Sequence, residues 1–217
     1  MGGDKIVFIK ICGIKNESEL NIVSKFRDNI DAIGMIVGNT RSKRRISLET
    51  SREIVKKSEL PVIAVSTDQS YEEWIEIIGI APDGIQFHGN IGPKDVEKIR
   101  EKYSGFILKV FEVERSVEDP FDESDRILNS MEEYDADAFL LDTKGGGTGM
   151  KHDQRVSEKV IHEAKRPIIL AGGINAENVS EFLKADPFGI DISSGVETNG
   201  IKDERRIRSL LEHVYGI

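Results

Sequence analysis

The chain has 217 residues, 38% of them hydrophobic and 32% charged, enough for one large domain or two small ones in which apolar positions are used sparingly. The formal net charge is -9 and no basic block tracks a phosphate backbone, which argues against nucleic acid as a partner. No apolar run nears the ~20 residues of a membrane span and no signal-peptide core opens the chain, so no membrane association is expected. The single cysteine, Cys12, cannot form an intrachain disulfide; it fits a reducing, cytoplasmic setting and is a candidate reactive thiol.

In chain order, IVFIKI (6–11) predicts a buried strand running into Cys12-Gly13. Asn16 and Glu19 have the spacing of a capping box for a helix carrying Leu20, Val23 and Phe26. AIGMIV (32–37) is a second strand, followed by the basic loop GNTRSKRR (38–45) and a helix capped by Ser47. PVIAVS (61–66) is the third, and Ser70 with Glu73 makes another capping box. GIQFHG (84–89) and GFILKV (105–110) are strands four and five. Gly-Pro opens the helix between them, and Asp119-Pro120 supplies cap and first turn of the next helix.

AFLLDTKGGGTG (138–149) holds the sixth strand, which delivers Asp142 to its C-terminal end beside a run of glycines. PIILAGG (167–173) is the seventh, with Asn175 as the cap of the helix that follows. GIDISSG (189–195) is the eighth, and Ile207, Leu210, Leu211 and Val214 mark the last helix at i, i+3, i+4 and i+7.

Eight strands alternating with eight helices, with no linker to split them, imply right-handed parallel crossovers and an α/β fold. A single compact (βα)8 barrel domain over residues 1–217 suits eight units because it leaves no edge strand. An open doubly wound sheet is the alternative; a dinucleotide-binding one would carry a glycine fingerprint in its first turn, where this chain has Cys-Gly-Ile.

Barrel active sites lie at the C-terminal ends of the strands. Those ends offer Cys12, Arg44, Gln86, His88, Asp142, Gly172-Gly173, Asp191 and Ser193-Ser194-Gly195. The turns after strands seven and eight are short and glycine-containing, the usual phosphate grip of such barrels. The GGGTG loop could close over the same region.

KICGI (10–14), the S-x-R loop at Ser42–Arg44, QFHG (86–89), LLDTKGGGTG (140–149), LAGGIN (170–175) and DISSGVETNGIKD (191–203) resemble phosphoribosylanthranilate isomerase, a family of tryptophan biosynthesis, over the whole chain and in order. The resemblance implies a (βα)8 barrel with neither metal nor organic cofactor, and an Amadori rearrangement of a phosphosugar; the sequence leaves monomer and homodimer both open. Carried over by position, it makes Cys12 the general base and Asp142 the general acid. Arg44 is then the holder of the anthranilate carboxylate, Asp191 a supporting acid, and Gly172, Gly173, Ser194 and Gly195 the phosphate turns. Two departures stand out: Arg45 where an aromatic residue is common, and Gln154 where the family usually has tryptophan.

The residue types suit that chemistry. Ring opening needs a proton delivered to an oxygen, which a carboxylic acid can give. The C2 proton, acidified by a cationic imine, can be taken by a thiolate if local dipoles favour the anion. Among the remaining candidates, His88 reads as a hydrogen-bonded structural residue, and His152, His162 and His213 lack the spacing of a metal site. Related phosphate-gripping barrels are the nearest rivals, but they lack the Cys-Gly pair after strand one. A non-catalytic barrel would not be expected to keep both Cys12 and Asp142.

Overall fold

The computed structural model describes residues 7–67, 69–145 and 152–216. Eight parallel strands close on themselves: β1 (Phe8–Cys12), β2 (Ala32–Ile36), β3 (Val62–Ser66), β4 (Gly84–Phe87), β5 (Phe106–Val113), β6 (Ala138–Thr143), β7 (Ile168–Leu170) and β8 (Gly189–Ile192), with β8 pairing back onto β1. The helices that follow them in turn are α1 (Glu17–Ser24), α2 (Leu48–Lys57), α3 (Tyr71–Ile78), α4 (Pro93–Arg100), α5 (Pro120–Met131), α6 (Gln154–Glu163), α7 (Val179–Leu183) and α8 (Glu204–Tyr215). This is the (βα)8 barrel that the alternation predicts. No helix among the described residues is long and apolar enough to cross a membrane.

Local chemistry accounts for most helix starts. Ser47 accepts from Thr50 N, Ser70 and Glu73 close a full capping box, and Asp119 accepts from the amides of Phe121 and Asp122 with Pro120 in the first turn. Two expected caps behave differently. Asn16 does cap α1, but Glu19 reaches back to Lys15 N instead of Asn16 N, because its carboxylate is buried (1% exposed) against Lys15 and the Lys202 amide. Asn175 organises the turn before α7, accepting from Glu177 N and Asn178 N, and Asn178 stands at the helix cap.

Alternation along each strand divides the core into two layers. Ile9 and Ile11 face the helices and join the large outer cluster with Ile207, Leu210, Leu211 and Val214 of α8. Inside the barrel, Leu108, Val110, Ala138, Leu140, Ile169 and Ala171 fill the β5–β7 half, while Cys12, Ala32, Ile63 and Val65 form a smaller patch opposite. Strand β5 runs to Val113, three residues beyond the predicted stretch, so Glu112 is a strand residue.

Between β8 and α8 the chain adds a 3-10 turn at Ser194–Val196 and a two-stranded hairpin, β9 (Glu197–Thr198) and β10 (Ile201–Lys202). Its tip is Asn199-Gly200, both at positive φ (53° and 75°), the residue pair that a tight two-residue hairpin prefers.

Candidate active site

At the C-terminal end of the barrel lies a cavity of about 600 Å³ whose wall includes Cys12, Arg44, Gln86, His88, Asp142, Gly172, Gly173, Asp191 and Ser194. Seven of the eight residues singled out from the sequence line it. The eighth, Gly195, sits just behind: a Cβ there would lie 1.9 Å from the Ile174 carbonyl oxygen, so its bare backbone lets the turn after β8 pack against the turn after β7. The part of the GGGTG loop from 146 to 149 lies outside the described residues.

Cys12 and Asp142 reach this cavity from β1 and β6, which strand closure sets on opposite sides of the mouth. Asp142 accepts from Thr143 N at 2.7 Å, and His88 Nε2 stands 3.7 Å from its other oxygen. Burial raises the Asp142 carboxyl above the usual carboxylate range; the His88 charge and the Thr143 amide oppose that without reversing it. His88, which the sequence reads as structural, therefore stands within ion-pair distance of the candidate acid.

Cys12 is buried (7% exposed) and also shifts upward, because burial disfavours the thiolate more strongly than Lys10 and Lys202 favour it. The sequence expectation of a thiol whose surroundings favour its anion is met only in part: the cations are present, and in the free protein they are outweighed.

Arg44 comes from the 38–45 loop, which turns tightly back toward β2. Ser42 Oγ accepts from Arg44 N at 3.2 Å, and Ile46 N donates to Ile36 O at 2.9 Å. Gly13, at φ +88°, lies beneath the guanidinium stem; a Cβ there would be 2.5 Å from Arg44 Cδ. The guanidinium is not free. Nε and Nη2 donate to the two oxygens of Glu197 at 2.7 and 2.6 Å, a bidentate pair.

Glu197 also accepts from Lys202 Nζ at 2.7 Å, and Lys202 further donates to the carbonyls of Cys12 (2.6 Å) and Ser193 (3.1 Å). Burial pushes the Glu197 carboxyl up, but Arg44 and Lys202 outweigh it and bring it to about 2. Burial lowers the Lys202 ammonium despite Glu197. Neither Glu197 nor Lys202 was singled out from the sequence, although both lie within the 191–203 stretch. The Asn-Gly pair between them was the available signal that they face each other across a hairpin.

Below the mouth, Asp191 Oδ2 accepts from Lys10 Nζ at 3.0 Å, and the pair is directly opposed in the β1–β8 ladder. Two buried oxygens that belong to cavity-lining residues have no partner among the described residues: Asp191 Oδ1 and Gln86 Oε1. Beside them, Gly172 and Gly173 adopt φ +94° and +72°. At Gly172 a side chain would also meet Thr143 Oγ1 at 2.2 Å. Neither amide is taken up by a backbone carbonyl among the described residues. What lies next to the mouth is thus a set of acceptors for hydroxyl groups, a set of amide donors for an anion, an acid and a thiol. No group of three or more candidate metal ligands occurs among the described residues.

Comparison with known proteins agrees with this geometry. Residues 9–213 match the family model described as N-(5'-phosphoribosyl)anthranilate (PRA) isomerase. N-(5'-phosphoribosyl)anthranilate isomerase of Pyrococcus furiosus is 42% identical over 213 residues, covering 97% of this chain and 99% of that protein. A solved structure of the isomerase from Pyrococcus furiosus superposes with a TM-score of 0.86 at 40% identity, covering 97% of this chain and 100% of the other. A second solved isomerase, in complex with reduced 1-(o-carboxyphenylamino)-1-deoxyribulose 5-phosphate, superposes with a TM-score of 0.79 at 27% identity, over 97% of this chain and 100% of the other.

Proposed function

Because the chain belongs to the N-(5'-phosphoribosyl)anthranilate isomerase family, whose members carry out an aldose–ketose isomerisation in tryptophan biosynthesis, we propose a division of that reaction among its own residues. One observation carries the proposal: Cys12 and Asp142 face a single sugar-sized cavity from opposite sides of a closed barrel, with the glycine turns after β7 and β8 beside them. The phosphate lies at Gly172, Gly173, Ser194 and Gly195, held by backbone amides. The anthranilate carboxylate meets Arg44. Since Nε and one Nη2 hydrogen are engaged by Glu197, the carboxylate takes the outer edge, formed by Nη1 and the second Nη2 hydrogen.

Asp142 gives its proton to the ring oxygen as the bond from C1 to that oxygen breaks, and the nitrogen lone pair forms the cationic imine. A raised carboxyl pKa keeps that proton in place until it is needed. The imine cation then adds a positive charge facing Cys12, which favours the thiolate that burial had opposed. The thiolate takes the C2 proton, and the electron pair of that C–H bond becomes the C1=C2 bond of an enolamine and discharges the nitrogen. Tautomerisation moves a proton from the C2 hydroxyl to C1 and yields the ketone. Asp142 has lost one proton and Cys12 has gained one, so exchange of a single proton through solvent resets both. Asp191 Oδ1 and Gln86 Oε1 accept from sugar hydroxyls during these steps.

No organic cofactor enters this scheme. We read the chain as one barrel domain over 1–217, acting in the cytoplasm as a monomer or homodimer; light scattering after size exclusion separates those two states. Consumption of phosphoribosylanthranilate, followed by its fluorescence with purified protein, tests the scheme when the parent is compared with Cys12→Ala and Asp142→Asn. Near-parental turnover in either variant would remove that residue from its role.

A further inference from the structure

Lys10 interrupts an otherwise apolar strand and is completely buried inside the barrel, two positions before Cys12 on the same face of β1. A buried ammonium is held only where it is paired, and its salt-bridge partner is Asp191 on β8. Its other neighbour is the thiol. Gly34 of β2, paired with Cys12 in the ladder, shows how close the two come: a Cβ placed there would lie 2.8 Å from Cys12 Sγ and 3.0 Å from Lys10 Nζ. Nζ and Sγ thus converge over one bare backbone position.

We propose that Lys10 is a positioning residue for the isomerase reaction, its ammonium fixed by Asp191 and directed at Cys12 Sγ so as to stabilise the thiolate. The proposal rests on the reading of Cys12 as the base.

Among the described residues, the charged groups around the thiol come from six segments: Lys10 on β1, Asp191 on β8, Lys202 on β10, Glu197 on β9, Arg44 in the 38–45 loop and, across the cavity, Asp142 on β6. Two of the three cations are committed elsewhere. Lys202 has three N–H donors and uses them on the Cys12 carbonyl, the Ser193 carbonyl and Glu197. Arg44 is forked onto Glu197. Lys10 donates to one oxygen of Asp191 and keeps hydrogens for sulfur. The thiol also favours the charged form of Lys10: burial pushes the ammonium down, yet Asp191 and the Cys12 anion together hold it above its usual value.

The test uses the fact that Cys12 is the only cysteine, so its ionisation can be read directly from the pH dependence of iodoacetamide alkylation and from thiolate absorbance. Lys10→Met alone would strand Asp191, so the comparison is between Asp191→Asn and the double variant Lys10→Met with Asp191→Asn. Loss of the ammonium should raise the thiol pKa by a unit or more, which slows alkylation about tenfold at a fixed pH below it. The thiol limb of the kcat/KM pH profile should move the same way, with affinity for reduced product unchanged. Gly34→Ala is the second variant: its methyl group would press on both Sγ and Nζ and drive them apart while both side chains are retained, and should shift the titration in the same direction.

An unchanged thiol titration in either folded variant overturns the proposal, and if the double variant does not fold, Gly34→Ala decides. The two readings fail separately. A shifted titration with full activity in Cys12→Ala would uphold the Lys10–Cys12 pairing and move the base elsewhere. An inactive Cys12→Ala with an unmoved titration would keep the base and refute the role of Lys10.

Discussion

Around Cys12, side chains from five segments interlock: Lys10 with Asp191, Lys202 with Glu197, and Arg44 closing the set at the rim. Around Asp142, among the described residues, the polar partners are one histidine at 3.7 Å and one backbone amide at 2.7 Å. The contrast follows from what burial does to each group. Removing water disfavours the charged form, so it keeps a carboxyl protonated without assistance, whereas it works against a thiolate. An acid in such a cavity needs little more than the cavity. A base needs cations, and each buried cation in turn needs a carboxylate and backbone carbonyls to hold it.

The sharpest way to break this comparison is to remove the two groups themselves. Asp142→Asn and Cys12→Ala are each expected to lower kcat by about 10²–10⁴ in the fluorescence assay, while both proteins fold and bind reduced product. The next effect concerns stability and should belong to the thiol side alone. Glu197→Ala leaves Lys202 buried without its carboxylate and frees Arg44, which should cost about 3–5 kcal/mol in urea unfolding.

Acid titration separates the two sides further. Beneath Asp142, buried His152 bonds Thr143 Oγ1 and Ser157 Oγ, and burial depresses it from 6.5 to about 4. Unfolding therefore takes up a proton between those pH values. The His152 contribution is complete above about pH 6.5 and is lost as pH falls toward 4, on the order of 3 kcal/mol in all. Glu197, held at about 2 against a usual 4.5, contributes fully above pH 4.5 and loses that contribution only as pH falls toward 2. Chemical denaturation at stepped pH should show the first loss abolished in His152→Gln and the second in Glu197→Gln. The smallest effect expected is at the rim: Arg44→Lys keeps a charge but not the fork, and should raise KM about tenfold with little change in Tm.

Much of this was legible in the sequence because strand ends are legible. Apolar runs that stop at Cys12 and Asp142, and one that carries Asp191, bring those groups to the C-terminal end of any eight-stranded barrel, and the glycine turns after Leu170 and Ile192 stand beside them. Side chains whose meaning lies in a partner far along the chain were not legible. Lys10 looks like a strand residue until Asp191 is seen opposite it in the β1–β8 ladder. Glu197 and Lys202 look like a polar tail to a motif until the Asn199-Gly200 hairpin folds one onto the other. His88 reads as structural because nothing local shows that Asp142 will stand beside it.

The pairing of β1 with β8 has a consequence for how activity arises as the chain folds. Lys10 and Asp191 are separated by 181 positions, and Lys202 and the Cys12 carbonyl by 190, so these contacts belong to the seam where the first strand meets the last. Such contacts span most of the chain, carry a large loop-closure entropy and cannot form in a half-barrel. An opened or truncated barrel would keep the cysteine and, in its other half, the aspartate. It would lack the ammonium–carboxylate lattice that surrounds the thiol. The thiol's charged surroundings are therefore completed at the seam, and recovery of the single cysteine's native pKa during refolding would report the moment at which the barrel closes.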